Sequence, residues 1–271
     1  MCELMGLSFA RPVSADFSVR AFAARGEDNA DGWGLAWYPD QSAAIVKEPR
    51  KWAASSFAGF LETYSHLRST TYIGHVRHKT VGGPPTYADT HPFVRELHGR
   101  DLVFAHNGTL EGPLWDLPVR RFRPVGATDS ERAFCLLLDR LADRIGPLED
   151  EGHWRWLHEE LLRLNRFGKM NMLLSDGSHL FAYHDANGYK GLTHRALVLR
   201  PHCSRRLEDA SLAIDLVDDE GDEVDVGQVV ATRPLGGEGW QPFRHGELIV
   251  FRAGRLAFAR SGNEASGQLG P

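Results

Sequence analysis

The chain contains few cysteines and no long apolar run. Only three cysteines occur among 271 residues, at positions 2, 135 and 203. An odd number without a repeated short spacing is a poor disulfide framework and does not match a zinc-ligand pattern. Such sparse use of cysteine suits a reducing compartment. No apolar stretch approaches the roughly 20 residues of a membrane span, and no basic segment precedes an apolar core as in a signal peptide. We therefore expect a cytoplasmic protein that has no membrane partner.

An excess of basic residues is also missing. The chain has 31 Lys and Arg against 36 Asp and Glu, a net charge of −5, and no Lys/Arg-rich block stands out. This balance argues against nucleic acid as a partner. A chain of this length buries a sizeable core without a disulfide or metal staple. We predict one domain over residues 1–260 and a disordered tail over residues 261–271.

Short apolar strands are predicted towards both ends of the chain, with two helices between them. The helices are predicted from about Thr128 and over residues 154–164, where apolar residues recur at helical spacing. Strands, then two consecutive helices, then strands is not the alternation that builds a parallel sheet. The pattern predicts an α+β protein with antiparallel sheets and a helical layer. The predicted strands cover residues 2–8, 32–38, 43–46, 71–76, 101–105, 170–175, 179–184, 196–199, 229–232, 248–251 and 256–259.

Cys2 is the first candidate for chemistry, because it directly follows Met1. Removal of the initiator would give one residue both a thiol and a free α-amine. An N-terminal amine can act as the base that activates a neighbouring nucleophile, and its pKa of about 8 leaves part of the population unprotonated near neutral pH. The alternative is a cysteine that stands at this position by chance.

Arg77 is the second candidate, at the end of the strand that leads into His78, Lys79 and Thr80. A guanidinium at a strand end can hold a carboxylate through two parallel hydrogen bonds. The alternative is an ordinary surface arginine. His75 and His78 point to opposite faces of a strand, so we predict no metal site here.

Two more segments allow two interpretations each. In His106-Asn107-Gly108, the Asn-Gly pair after a predicted strand is either a hairpin turn or a pair of N–H donors for an oxyanion. In Thr128-Asp129-Ser130-Glu131, Thr128 and Glu131 form a capping box at a helix start. Asp129 then either stabilises that helix end or pairs with the ammonium group of a substrate.

Cys2, Arg77 with Thr80, His106-Asn107-Gly108 and Asp129-Ser130-Glu131 follow one another in an order that resembles the class II glutamine amidotransferases, which are N-terminal-nucleophile (Ntn) hydrolases. The resemblance covers residues 2–260 and implies a four-layer αββα sandwich of two antiparallel sheets. Four further runs are similar to a stand-alone bacterial branch that includes a γ-glutamyl hydrolase of ergothioneine synthesis. These runs are Met1–Leu4, Asp31–Gly34, Thr90–Phe93 and Asn171–Gly177.

The resemblance implies a role for each motif. Cys2 would attack the side-chain amide of glutamine while its own α-amine relays the proton. Asn107 and Gly108 would form the oxyanion hole. Arg77 would hold the α-carboxylate and Asp129 the α-ammonium, with Thr80 and His106 as further substrate-binding residues. No metal and no cofactor are implied.

The acceptor of the ammonia stays open, because the chain leaves no room for a synthase domain. Three alternatives remain. The protein hydrolyses glutamine or passes ammonia to a separate synthase; it hydrolyses another γ-glutamyl amide with a larger leaving group; or it is a non-catalytic binding subunit on the same scaffold.

Overall fold

Two antiparallel sheets face each other in the computed structural model, which describes residues 3–18, 32–51, 54–61, 64, 67–77, 86–144, 146–208, 213–217 and 223–262. The part of the predicted tail that follows residue 262 therefore lies outside the described residues. None of the helices in the described part of the chain is long and apolar enough to cross a membrane.

The first sheet has nine strands, and a long, irregular strand near its centre, β1, joins its parts. The hydrogen-bonded order is β13-β9-β12-β1-β4-β2-β3, and β11 pairs with the far end of β1 and with β10. The bounds are β1 (Glu3–Ser18), β2 (Gly32–Trp37), β3 (Ala44–Glu48), β4 (Arg68–Arg77), β9 (Thr193–Leu199), β10 (Ser204–Glu208), β11 (Ala213–Val217), β12 (Asp225–Ala231) and β13 (Gln241–Pro242).

The second sheet has six strands in the order β15-β14-β8-β7-β6-β5. Three hairpins build it, β5–β6, β7–β8 and β14–β15, and the turn between β7 and β8 contains Asp176-Gly177. The bounds are β5 (Phe93–Leu97), β6 (Arg100–Leu110), β7 (Gly168–Ser175), β8 (His179–Tyr183), β14 (Leu248–Arg252) and β15 (Arg255–Arg260).

An apolar layer fills the space between the sheets. Because side chains alternate between the faces of a strand, each strand gives only every second residue to this layer. Its members include Leu4, Ile73, Ala105, Leu173 and Ile249, all of them buried. The odd-numbered residues of β6 that surround Ala105 thus face the first sheet, and the even-numbered residues face away from it.

Helices cover the outer faces unequally. Helices α2 (Asp129–Ala142) and α3 (Glu151–Asn165) pack on the second sheet, where the rings of Phe104 and Phe134 stack with centroids 4.9 Å apart. The first sheet is covered among the described residues by one short helix, α1 (Ser56–Leu61). A 3₁₀ turn at Gly112–Trp115 follows β6. The α+β class with two antiparallel sheets and a helical layer is confirmed.

Hydrogen bonds fix the alignment of the sheets at one end. The Tyr38 hydroxyl, just after β2, donates to the backbone carbonyls of Asp101 (2.9 Å) and Ser175 (3.0 Å) in the second sheet. The Ala43 N–H donates to the Asp101 carboxylate over 3.0 Å. Burial raises the pKa of the Tyr38 hydroxyl, so it stays a hydrogen-bond donor at any physiological pH.

Two predictions about local structure need correction. The strand predicted over residues 101–105 continues to Leu110, so Asn107 and Gly108 lie inside a ladder with β7 and do not form a hairpin turn. The capping box is only half formed. Thr128 Oγ accepts the Glu131 N–H over 3.2 Å, but the Glu131 carboxylate accepts from the N–H groups of Val125 and Gly126. Tertiary contacts override the local preference at both places.

Close backbone packing occurs where the chain after residue 86 crosses β2. A Cβ atom at Gly34 would lie 2.1 Å from the His91 carbonyl oxygen and 2.7 Å from Pro92 Cδ. No side chain fits into that space, so the segment from His91 to Pro92 rests directly on the β2 backbone.

Gly34→Ala should therefore lower the free energy of unfolding by about 3 kcal/mol, the upper range for overpacking. Gly59→Ala is the matched control, because a Cβ atom at Gly59, in α1, would have no neighbouring atom within 4 Å; there alanine should be neutral or stabilising by up to about 1 kcal/mol. Urea unfolding of both variants measures the difference, and equal effects would show that the close approach does not constrain position 34.

Candidate active site

Strand ends of the first sheet bring two of the predicted segments together. β1 begins at Glu3, directly after Cys2, and Glu3 pairs with Val76, directly before Arg77. Gly32 of β2 pairs with Arg77 from the other side. Cys2 and Thr80 lie outside the described residues, and so does the side chain of Arg77. The described strands thus place the neighbours of Cys2 and the backbone of Arg77 at one end of the sheet.

The Asn107-Gly108 pair lies at the same end of the second sheet. Tyr38 and Asp101 are hydrogen-bonded to each other at the opposite end of the two sheets. Gly32 lies as many residues from Tyr38 along β2 as Asn107 lies from Asp101 along β6. Asn107 shares the inward face of β6 with Ala105, and its side chain is 1% exposed. The predicted oxyanion donors and the start of β1 therefore face each other across the two sheets.

The close approach of β7 requires a residue without a side chain at position 108. A Cβ atom there would lie 1.9 Å from the Lys169 carbonyl oxygen and 2.6 Å from the Lys169 carbonyl carbon. Any larger residue would separate β6 from β7 beside Asn107. The glycine therefore keeps the strand of the predicted oxyanion donors in place.

His106 points to the opposite face of β6 and contacts the helical layer. Its Nδ1 lies 2.8 Å from Ser130 Oγ, and its Nε2 lies 3.1 Å from the Lys169 carbonyl oxygen. Since a carbonyl only accepts, Nε2 carries the proton and Nδ1 accepts from the Ser130 hydroxyl. Burial lowers the pKa of His106, which keeps the ring neutral. Both ring nitrogens thus bond to protein atoms, and His106 connects β6 to the start of α2.

The first turn of α2 is tied to the second sheet by three successive residues. The Asp129 carboxylate accepts the Leu110 N–H over 2.7 Å, at the end of β6. Ser130 bonds to His106, and Glu131 forms a 2.5 Å ion pair with Arg95 of β5. Asp129 is therefore held beside the end of the strand that carries Asn107, where one carboxylate oxygen bonds to the protein.

A buried polar network around Asp185 holds the start of β7 in place. Asn171, paired with Asn107 across the ladder, accepts the Asp185 N–H over 2.9 Å. Burial alone would raise the pKa of the Asp185 carboxyl, but its hydrogen bonds hold that pKa below its ordinary value. The carboxylate accepts from Met170 N, Asn165 Nδ2, Asn187 N and Tyr189 N over 2.7 to 3.0 Å.

The other cysteines differ from Cys2 in their surroundings. Cys135 is buried inside α2, and burial raises the pKa of its thiol to about 11. It is a thiol and not a thiolate near neutral pH, which makes it a poor nucleophile. Cys203 is exposed, in the connection between β9 and β10.

Comparison with known proteins identifies the family. The model of the class II glutamine amidotransferases matches residues 1–268. This chain belongs to the class II glutamine amidotransferases. YafJ of Escherichia coli, provisionally named a glutamine amidotransferase, is 36% identical over 94% of this chain and 98% of its own length.

Solved structures agree with this assignment. A Pseudomonas aeruginosa protein, solved as a predicted glutamine amidotransferase, is 32% identical with a TM-score of 0.72 over 94% of this chain and 99% of its own. The phosphoribosylpyrophosphate amidotransferase of B. subtilis has a TM-score of 0.62 at 17% identity, over 96% of this chain and 49% of its own. The latter shows the shared fold alone, that of the Ntn-type amidotransferases.

Some site features have no signal in the sequence. The bond from Ser130 to His106 and the Asp185 network link residues far apart in the chain. Ser130 is noted in the sequence only as a member of the Asp129-Ser130-Glu131 motif, and Asp185 is not singled out.

Replacement of His106 should alter the pH dependence of stability. Below pH 6.5, the ordinary value for histidine, the unfolded chain takes up a proton that the buried ring resists, so acid favours unfolding. One such group contributes up to about 1.4 kcal/mol per pH unit. His106→Gln should remove this contribution, as measured by urea unfolding between about pH 5 and 7. Exposed His98→Asn is the control; an unchanged slope in His106→Gln would contradict the buried neutral ring.

Proposed function

We propose that the protein cleaves a γ-glutamyl amide, with glutamine as the simplest substrate, through a thioester on Cys2. The observation that supports this most directly is the convergence of the start of β1 with Asn107 and Gly108 at one end of the two sheets. Acyl transfer needs a nucleophile beside N–H donors that stabilise the oxyanion. Here the nucleophile would come from one sheet and the donors from the other. Membership of the class II family supports the same chemistry.

The proposed reaction has two stages. With Met1 removed, the Cys2 α-amine takes the thiol proton and the sulfur attacks the amide carbon. Asn107 and the Gly108 N–H donate to the oxygen that becomes negative in the tetrahedral intermediate. The carbon–nitrogen bond then breaks, and the nitrogen leaves as ammonia with the proton from the α-amine. Water attacks the thioester in the second stage, with the amine again taking a proton, and releases glutamate and the thiol.

The glutamyl group has two charges to be matched. Arg77 would hold the α-carboxylate and Asp129 the α-ammonium, with Thr80 beside them in the same segment as Arg77. Among the described residues, one Asp129 oxygen accepts the Leu110 N–H, and the other would accept from the substrate ammonium. His106 would serve substrate binding through the backbone that it positions, since both its ring nitrogens contact protein atoms.

The fate of the ammonia distinguishes the alternatives. This chain spans about half of the B. subtilis phosphoribosylpyrophosphate amidotransferase that shares its fold. A separate synthase that accepts ammonia is the first candidate partner. Hydrolysis of a larger γ-glutamyl amide is the second candidate, and a cavity beside Lys47 favours it.

Incubation of the tag-free protein with glutamine tests the proposal, with glutamate and ammonia as readouts. Intact mass should show the loss of Met1, because the mechanism needs the free amine. Cys2→Ala should abolish release, since nothing else in the site supplies the sulfur. Cys203→Ala, at an exposed position, is the matched control and should stay active. Activity of a protein that retains Met1, or of Cys2→Ala, would disprove the Cys2 mechanism.

Asp129→Asn should separate substrate binding from helix stability. The amide oxygen of Asn can still accept the Leu110 N–H, but the negative charge is lost. We expect kcat/KM for glutamine to fall by about tenfold or more, the scale of a hydrogen bond to a charged group, mostly through KM. The melting temperature should change little. A loss of stability that matches the loss of activity would show that Asp129 only stabilises the helix end.

A further inference from the structure

A cavity of about 760 Å³ lies beside the edge strands β3 and β5. It is outside the set of residues predicted for the glutamyl group. Its volume falls within the usual range of about 300–1,000 Å³ for small-molecule sites, which are mostly apolar with a few polar groups. The size of the cavity is therefore that of a site for a small organic molecule.

Most of the cavity wall is apolar and includes aromatic rings. Its apolar members include Ile45, Phe57, Tyr87, Pro92, Phe93 and Val125. Three of them are strongly exposed, with Phe57 52%, Tyr87 56% and Val125 78% accessible to solvent. Large apolar side chains exposed around one concave surface indicate a binding site.

One cation in the cavity bonds to backbone carbonyls. Lys47 Nζ donates to the carbonyls of Thr90 (2.7 Å) and Pro92 (3.2 Å) and lies 5.1 Å from the centre of the Phe93 ring. An ammonium has three N–H donors, so one remains. Within the described part of the chain, no carboxylate lies within 4.0 Å of this nitrogen. Burial lowers the pKa of Lys47 to about 8, so it is still charged at pH 7.

The acidic residues of the cavity already have partners. Glu131 is paired with Arg95 and accepts two backbone N–H groups. Glu48 accepts the Ser55 hydroxyl and lies 3.4 Å from Arg50. Glu131 and Asp89 therefore act on the Lys47 charge only from a distance, and the third N–H donor of Lys47 favours a ligand with an anionic group.

The cavity adjoins the candidate active site through two structural elements. Glu48, in its wall, belongs to a row of paired residues that continues through Trp33 and Val76 to Glu3. Three strand spacings make this row about 14 Å long. Thr90 also contributes, since its methyl group would lie 3.3 Å from a Cβ atom at Gly32 while its carbonyl bonds to Lys47. The cavity therefore lies on the side of β2 away from β1, where a leaving group that extends from the start of β1 across β2 would enter it.

We propose that this cavity binds the leaving group of the substrate, and that this group is an aromatic amine that carries a carboxylate, which pairs with Lys47. The inference rests on the proposed function and narrows its substrate class. Cys2 would still attack the γ-glutamyl carbon, the carbon–nitrogen bond would break, and the aromatic amine would leave as the neutral amine with the proton from the Cys2 α-amine.

Two anilides that differ by one carboxylate test the proposal. These are γ-glutamyl-p-nitroanilide and γ-glutamyl-3-carboxy-4-nitroanilide, both of which release a coloured amine. At pH 7 the wild-type protein should cleave the carboxylated anilide with a kcat/KM about tenfold higher, the scale of one charge-assisted hydrogen bond. Equal values, or a preference for the anilide without the carboxylate, would overturn the role of Lys47.

Replacing Lys47 should change this ratio and not merely the activity. Lys47→Met keeps the length of the side chain but removes the charge, so the two anilides should be cleaved equally. Lys47→Arg keeps the charge and should retain at least part of the preference for the carboxylated anilide. A change in stability or in the segment around Thr90 would affect both anilides alike, so a persisting tenfold ratio in Lys47→Met would contradict the proposal.

Filling the cavity provides a second test with glutamine as an internal reference. Ala88→Phe adds a ring inside the cavity and should lower kcat/KM for both anilides by at least tenfold relative to glutamine, whose leaving ammonia needs no cavity. Ala259→Phe is the matched control, at an exposed position on the opposite edge strand β15. An unchanged anilide-to-glutamine ratio in Ala88→Phe would overturn the cavity assignment.

The outcomes also separate this inference from the proposed function. Cleavage of glutamine without cleavage of either anilide would disprove the leaving-group cavity and leave the Cys2 mechanism intact. No cleavage of any of the three by protein lacking Met1 would disprove both.

Discussion

The candidate site depends on apolar packing between two sheets. β1, which begins next to Cys2, belongs to one sheet, whereas Asn107 and Gly108 belong to the other. Among the described strands, no pairing joins these sheets; buried side chains such as Leu4, Ala105 and Leu173 fill the space between them. Face-to-face sheets lie about 10 Å apart, a spacing set by the side chains between them. The volume of this layer therefore determines how far the nucleophile strand is from the oxyanion donors.

The first turn of α2 combines structural and chemical roles that are often separate. Asp129, Ser130 and Glu131 each bond to a different part of the second sheet. A helix start favours negative charge, so a carboxylate for the substrate ammonium can be placed there at little cost to stability. The same turn holds His106 and thereby the strand with Asn107. Recognition of the substrate head and alignment of the oxyanion donors thus depend on one helical turn.

The sequence predicted features that depend on local chemistry. Helix α2 begins after Thr128 as expected, and its apolar face packs on the second sheet. Strands β10 and β11 were missed, because their alternation is interrupted by charged residues such as Arg205 and Asp215 and they are specified by pairing with each other and β1. The Asn-Gly pair was open to two interpretations, because its strand conformation is imposed by β7 and by Gly108 under the Lys169 carbonyl. The order of the motifs indicated the family. The cavity at Lys47 could not be predicted, because segments distant in the chain form it.

The Tyr38 hydroxyl has an effect on the site that its location does not suggest. Apolar packing is non-directional, so on its own it allows one sheet to slide over the other along the strands. Hydrogen bonds from Tyr38 to the carbonyls of Asp101 and Ser175 are directional and oppose such sliding. Gly32 and Asn107 lie about 20 Å from this point along their strands. Together with the hydrogen bond from the Ala43 N–H to the Asp101 carboxylate, the Tyr38 phenol thus constrains the longitudinal alignment of the two halves of the site from the opposite end of the strands.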